Sequence, residues 1–338
     1  MTSGTINFNE PRNEIVSDAL SMIRAYGVGE TPSLSDIELG ARTLNRMIKA
    51  WQADGIHLWK KSVALLFMRY APATNYYIDS ATYLLGNITG VSGATTTYCT
   101  ENYSLTDLTT AAAVGATNLV VTSSAIALAS YYIGISLDDG TIQWTTIVSA
   151  PDSTHFNITA PLTGAAAIGK KIFTFQTLMD KPLQILGVRR VENFTAIENS
   201  SSIRWIPMLE TSYEGYNDLP NKFSQGYPTI YNYNPNNKYG ILRVWPVPSN
   251  VQDIILELSY TKMIENFDTF SDYPDFPNEW LETIVICLAV KLSPHFGKSN
   301  GQTYTALVQD AQVSLEKLRR FDNEMTSIYI RPDRRGWR

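Results

Sequence analysis

The chain has 338 residues, 44% of them hydrophobic, with 27 Lys and Arg against 32 Asp and Glu and a net charge of −5. That length and apolar content allow two or three domains with real cores, while the slight acidity argues against a general binder of nucleic acid or anionic membranes. The longest strongly apolar run, Ile284 to Val290, is far too short to span a bilayer, and Cys99 and Cys287 lie too far apart to suggest a disulfide framework.

The N-terminus lacks a basic region followed by an apolar stretch, so the expectation is a soluble protein made in the cytoplasm. Pro11, tolerated in a first turn, opens a predicted helix that carries Ile15, Ala19, Met22, Ile23 and Tyr26 on one face until Gly27. A second helix is marked by capping-box spacing at Ser35 and Glu38. It has an apolar stripe at Ile37, Ala41, Leu44, Ile48 and Trp51, and Gly55 as its left-handed stop. Residues 84–176 hold only seven charged side chains and read as a small β domain. Its clearest element is a hairpin: Ile133, Ile135 and Leu137 alternate up to the two-residue turn Asp139-Gly140, and Ile142, Trp144 and Thr146 alternate away. Between 181 and 262, prolines limit strand length, and strands near 183–191, 239–245 and 253–261 are expected to form a second sheet. Asn278 is placed to cap a helix with Leu281, Ile284, Val285, Leu288 and Leu292 at helical spacing until Pro294. A fourth helix follows with Tyr304, Val308, Ala311, Leu315 and Leu318.

Helices at both ends and strands between predict an α+β chain. Its expected form is a split four-helix core from the N- and C-terminal segments, carrying an inserted β-rich middle that includes a small β-sandwich or barrel. The expected boundaries are 1–83 for the helical hairpin and a first strand, 84–176 for the inserted β domain, and 177–277 for a β and aromatic-loop region. The last two are 278–324 for the C-terminal helices and 325–338 for a terminal tail.

Catalytic and metal patterns are missing from the sequence. His57, His155 and His295 fall in separate regions without a second ligand at metal spacing, and Asp138-Asp139-Gly140 is explained by the hairpin. No phosphate-binding loop, nucleophile elbow or zinc-protease motif occurs. The expectation is a non-enzymatic protein without cofactors. Two interaction candidates stand out instead. Tyr213, Tyr216, Tyr227, Tyr231, Tyr233 and Tyr239 sit among asparagines and prolines, where aromatic rings can stack on sugars or bases or supply rigid area to a protein interface. Protein contact is favoured, since only Lys222 and Lys238 are basic there. The tail 328–338 has net charge +3 and combines Ile328, Tyr329, Ile330 and Trp337 with Arg331, Arg334, Arg335 and Arg338. Apolar anchors beside guanidinium groups suit docking onto a partner protein, with ordering on binding; DNA contact is a weaker option.

Four blocks carry a resemblance: DALSMIRAYGVGETPS from Asp18, LNRMIKAWQADGIHLW from Leu44, RVWPVP from Arg243, and DFPNEWLETIVICLAVKLSPHFG from Asp275. In order and spacing, from near residue 12 to about 325, the chain resembles the head-to-tail adaptors of short-tailed bacteriophages, the tail accessory or packaged-DNA stabilisation proteins. The resemblance implies a structural virion protein at the neck that forms a homo-oligomeric ring, a dodecamer, below the portal protein. Such a ring seals packaged DNA, which it meets only as channel contents, has no membrane role, and offers an attachment surface to the tail nozzle or tail fibres. It further implies that the C-terminal segment, here 325–338, reaches into the portal. Compact members of the family lack a domain like 84–176. The alternative carried with it is a carbohydrate-binding or cell-wall-degrading virion component.

Overall fold

The computed structural model describes residues 10–27, 29–55, 60–68, 82–89, 91, 96–193, 202–248 and 254–321. They form a mixed α+β protein. In chain order the elements begin with helices α1 (Arg12–Met22) and α2 (Leu34–Ala53). Strands β1 (Lys61–Phe67), β2 (Thr82–Gly86), β3 (Cys99–Thr100), β4 (Ser104–Asp107), β5 (Asn118–Val120) and β6 (Tyr132–Ser136) follow. Next are β7 (Ile142–Asp152), β8 (His155–Ile158), β9 (Lys171–Phe175), β10 (Gln184–Glu192), β11 (Arg204–Pro207) and β12 (Leu209–Glu210). The rest are the short α3 (Tyr213–Asn217), β13 (Ile230–Pro235), β14 (Tyr239–Trp245), β15 (Ile254–Thr261), α4 (Leu281–Leu292) and α5 (Gln302–Phe321). Two compact units result, one from Met1–Lys60 with Met263–Arg338 and one from Lys61–Lys262.

In the first unit, α2 starts two residues earlier than its sequence suggests. Ser33, not Ser35, takes the extended cap conformation (φ −69°, ψ 155°), and its Oγ accepts the Asp36 N–H at 3.3 Å. Ser35 thereby falls inside the first turn. At the far end Gly55, with φ +83°, supplies the expected stop. Helix α1 ends before Gly27, because Arg24 itself turns left-handed at φ +52°. Met22 therefore leaves the apolar stripe and is 43% exposed, while Val16 and Leu20 are buried in its place. The two helices approach closely at Gly40, where a Cβ would lie 2.3 Å from Val16 Cγ1. Helix α4 has nine buried residues over three turns, so it is apolar almost all round. A 3₁₀ turn, Asn278–Trp280, precedes it, so Asn278 lies inside that turn and Pro277 takes the position before it. One hydrophobic cluster joins Ile15 and Leu20, Leu44 and Trp51, Ile284 and Leu288, and Ala311 and Leu318.

The irregular segment that leads to α4 is held by polar contacts from α2 and from Lys60. Asn45 Nδ2 donates to Phe267 O and Asn45 Oδ1 accepts Phe267 N–H, both at 3.0 Å. Lys49 Nζ donates to Ile264 O, and Lys60 pairs with Asp275. These fix how Ile264, Phe267 and Phe276 enter the cluster.

Among the described residues the second unit has three sheets, with strand orders β11-β10-β15-β1-β3, β12-β13-β14-β2 and β4-β9-β6-β7-β8-β5. The three strands expected to share one sheet do not. Strands β10 and β15 are neighbours in the first sheet, whereas β14 pairs with β13 and β2 in the second. The two sheets share a core of Leu66, Val188, Leu256 and Leu258 from one and Tyr83, Leu85, Leu242 and Val244 from the other. The six-stranded sheet curls into a half-barrel. Its edge strands meet at the Leu108–Val121 bridge, where Thr109 N–H donates to Val120 O and Thr122 N–H to Asp107 O, each at 2.9 Å.

The predicted hairpin within it is β6–β7, one residue out of the expected register. Its connection is closed by Leu137 N–H to Thr141 O at 2.8 Å, with Gly140 at φ +93°. Ile133 and Ile135 consequently face Thr145 and Gln143, and Trp144 is opposite Gly134. A slip of one exchanges the faces of a strand, so Trp144 points out of the half-barrel while Ile133 and Ile135 fill it. Gly134 makes room for the indole, since a Cβ there would lie 2.7 Å from it. Outside the half-barrel, Trp144, Phe173 and Phe175 pack with Phe67 and Tyr98.

Two glycine substitutions test these close approaches. Gly40→Val and Gly134→Val should each lower stability by about 1–3 kcal/mol through overpacking, measured by denaturant unfolding. Unchanged midpoints would show that Val16 and Trp144 give way freely.

Candidate functional site

The aromatic segment belongs to the four-stranded sheet, and strand alternation divides its tyrosines. Tyr231 and Tyr233 on β13 lie opposite Val244 and Leu242 on β14, all turned to the shared core. Asn232 lies opposite Arg243, which is opposite Thr82 on β2, so these three share the other face. The segment from Thr211 to Asn221 lies against that second face. Asn232 Nδ2 donates to Thr211 O at 2.9 Å, and Trp245 Nε1 to Asn221 O at 2.7 Å. Helix α3 starts there because Ser212 Oγ accepts the Gly215 N–H at 3.0 Å.

The six tyrosines expected to form one interface therefore separate. Tyr213 and Tyr227 are exposed, at 53% and 60%, and Tyr239 is half-buried. Tyr216 and Tyr231 are each only 2% exposed, which corrects their assignment as surface contacts. Tyr233 is also held internally: its hydroxyl donates to Pro182 O at 2.7 Å, and its ring occupies the space a Cβ on Gly240 would need. Burial pushes the Tyr231 hydroxyl up to about 12, with the Glu210 carboxylate adding to the effect.

Two arginines organise what remains exposed. The Arg243 guanidinium lies 5.6 Å from the Tyr213 ring centroid and that of Arg190 lies 5.0 Å from Tyr227. Arg190 is 8% exposed; it donates from Nη1 to Pro228 O at 2.8 Å and pairs with Glu192 at 2.8 Å, which anchors the turn carrying Tyr227. Phe223, Leu209 and Trp205 are further exposed apolar groups of this unit, at 54%, 68% and 49%. Trp205 is oriented by Nε1 donation to Glu257, which also pairs with Arg189. Sequence reasoning missed Arg190, Arg243, Trp205 and Leu209. The in-phase alternation of β13 and β14 was the available signal for the Tyr231 and Tyr233 burial.

The proposed tail contacts Ile328, Tyr329, Ile330, Arg331, Arg334, Arg335, Trp337 and Arg338 lie outside the described residues. Among the described residues no group of three His, Cys, Asp or Glu side chains is arranged to hold a metal ion, and no helix is long and apolar enough to cross a membrane. His155 meets Asp152 at 2.8 Å within a tight turn, and His295 is exposed. Both cysteines are buried and unpaired, with the Cys287 thiol pushed up to about 11 by burial.

The division among tyrosines is measurable. Tyr231→Ala should cost about 3–5 kcal/mol, as loss of a buried aromatic does, whereas Tyr213→Ala and Tyr227→Ala should stay within about 0.5 kcal/mol. Because the folded value of Tyr231 exceeds the unfolded one near 10, its contribution is intact below about pH 10 and is lost as pH rises toward 12. Spectrophotometric titration of wild type against Tyr231→Phe reads this directly, and identical curves would contradict it. No family model matches the chain, and no curated protein matches it.

Proposed function

We propose that this chain is a head-to-tail adaptor of a short-tailed bacteriophage: a structural virion protein that builds a dodecameric ring beneath the portal, closes the DNA channel and receives the tail nozzle or fibres. The observation that carries this reading is the single hydrophobic cluster drawn from α1, α2, α4 and α5. Helices from both ends of a chain that share one core suit a ring-building body, a split four-helix core, with the long β-rich stretch between them free to vary. No catalysis is needed, and no cofactor.

In this reading the second unit meets the tail machinery through Tyr213, Tyr227, Phe223 and Tyr239. Exposed rings stacked against arginines are the composition that protein interfaces favour. The segment 325–338 docks into the portal, its guanidinium groups pairing with carboxylates there. The carbohydrate-binding alternative draws on the same exposed rings, and a glycan array is its direct test. Binding lost in Tyr213→Ala and Tyr227→Ala would favour it over the adaptor.

Mixing the purified chain with its portal should give a ring-bearing complex visible by electron microscopy and mass photometry. A folded sample that never associates, even at high concentration, overturns the proposal. Deleting 325–338 should weaken portal docking by at least about tenfold while leaving the melting temperature unchanged. Equal docking would remove the tail's role.

A further inference from the structure

Two surfaces of opposite character lie at the two ends of α1. At its C-terminal end, Met22, Ile23 and Arg24 line an open cavity of about 440 Å³ with Lys298, Tyr304 and Leu307. Tight turns shape its walls: Arg24 has φ +52° and Gly297 φ +66°, and Lys298 N–H donates to Ser293 O at 2.9 Å. Arg24 and Lys298 are exposed and outnumber Asp310, the lining carboxylate. The ion pairs of this unit among the described residues, Lys60–Asp275 and Arg319–Asp54, use neither cation. At the N-terminal end lies the loop 265–275, ENFDTFSDYPD, with four carboxylates and no Lys or Arg. Arg12 N–H donates to Asp272 O at 2.9 Å, and the Asp272 carboxylate accepts N–H bonds from Asp268 at 2.7 Å and Thr269 at 2.6 Å. On the loop so fixed, Phe270 and Tyr273 are 51% and 61% exposed. Arg12 lies near Asp272 and Lys60 pairs with Asp275, whereas Glu265 and Asp268 are exposed.

Exposed rings beside carboxylates match an apolar cavity rimmed by cations, in both charge and chemistry. The eleven residues of α1 put about 16 Å between its two ends, so the fixed loop cannot enter the cavity of its own chain. We propose that the loop 265–275 of one copy docks into the α1–α5 cavity of a second copy. Tyr273 enters beside Met22 and Leu307, and Glu265 and Asp268 meet Arg24 and Lys298. An aromatic anchor seated in a pocket is the arrangement that concentrates binding energy, and the cavity lies within the roughly 300–1,000 Å³ of sites that enclose such groups. Both surfaces are held by backbone hydrogen bonds before they meet, which lowers the ordering cost of association. The contact is heterologous, because each pair keeps one unused loop and one unused cavity. Repetition therefore gives a closed ring or an open filament. The inference deepens the adaptor reading and rests on it for closure into a ring, while the contact itself rests on the two surfaces.

Sedimentation velocity of the full chain over a concentration series tests it. Wild type should self-associate as concentration rises. Tyr273→Ala, which spoils the loop, and the double variant Arg24→Asn with Lys298→Glu, which spoils the cavity, should each weaken association at least about tenfold at an unchanged melting temperature. Asn is chosen because it accepts the left-handed backbone at position 24. Mixed together, the two variants should form a one-to-one pair and nothing larger, since one intact cavity and one intact loop remain to meet. The contact is overturned if wild type stays monomeric at concentrations on the order of a millimolar, if either variant associates like wild type, or if the mixture stays monomeric. Portal binding by a chain that fails these tests would remove this contact and leave the adaptor reading standing. Pairing of the mixed variants by a chain that never binds portal would do the reverse.

Discussion

The first unit depends on clothing α4. Nine buried positions in twelve residues leave that helix without a polar face to give to water, so it is stable only when surrounded. Its surroundings come from far away in sequence: Trp51 packs at 6.0 Å from Trp280, and Ile15, Leu20 and Leu44 complete the same cluster. Everything else in the unit follows from that need. Gly40 lets α1 and α2 close on each other, and the Asn45 and Lys49 contacts deliver Ile264 and Phe267 at the correct depth.

How much of this was legible in the sequence depends on whether the signal was local. The stripes of α2 and α4, the stop at Gly55 and the strands at 184–192, 239–245 and 254–261 were readable, because propensity, period and turn chemistry agree there. Errors arose where one residue decides between close alternatives. Ser33 and Ser35 compete for a single cap, Arg24 ends α1 by adopting a conformation more usual for glycine, and a one-residue change at Asp139-Gly140 turns Trp144 to the other face. The partition of strands into sheets was invisible locally, since β10 and β14 carry similar alternation and only tertiary packing separates them. At the candidate surface, counting tyrosines hid the distinction that matters. Tyr231 and Tyr213 are alike in composition, but one lies on the core side of a strand and the other beneath an arginine at the surface.

Arginines stacked against aromatic rings occur in both units. In the second, Arg190 and Arg243 hold exposed rings in place, which reduces the conformational entropy such rings lose on binding. Arg190 satisfies Pro228 O and Glu192, so its charge is spent within the fold. In the first, Arg12 reaches Asp268 O and Asn13 Oδ1 and interacts with the Asp272 carboxylate beneath the Phe270 ring. Each of these two buried guanidinium groups, Arg12 and Arg190, thus ties together backbone and side-chain groups within its own unit while stacking against an aromatic ring.

The pairing of Lys61 with Thr261 across β1 and β15 has a consequence for chain entropy. Paired residues of antiparallel strands stand about 5 Å apart, so the stretch Lys61–Lys262, once folded, begins and ends at neighbouring points. Unfolded, a connection of that length would oppose the meeting of Trp51 and Trp280 by about 5 kcal/mol of closure entropy. Folded, it behaves toward the helices as a short link of a few residues. The β-rich stretch therefore acts as an entropic clasp for the helical unit, and melting the clasp loosens the helices.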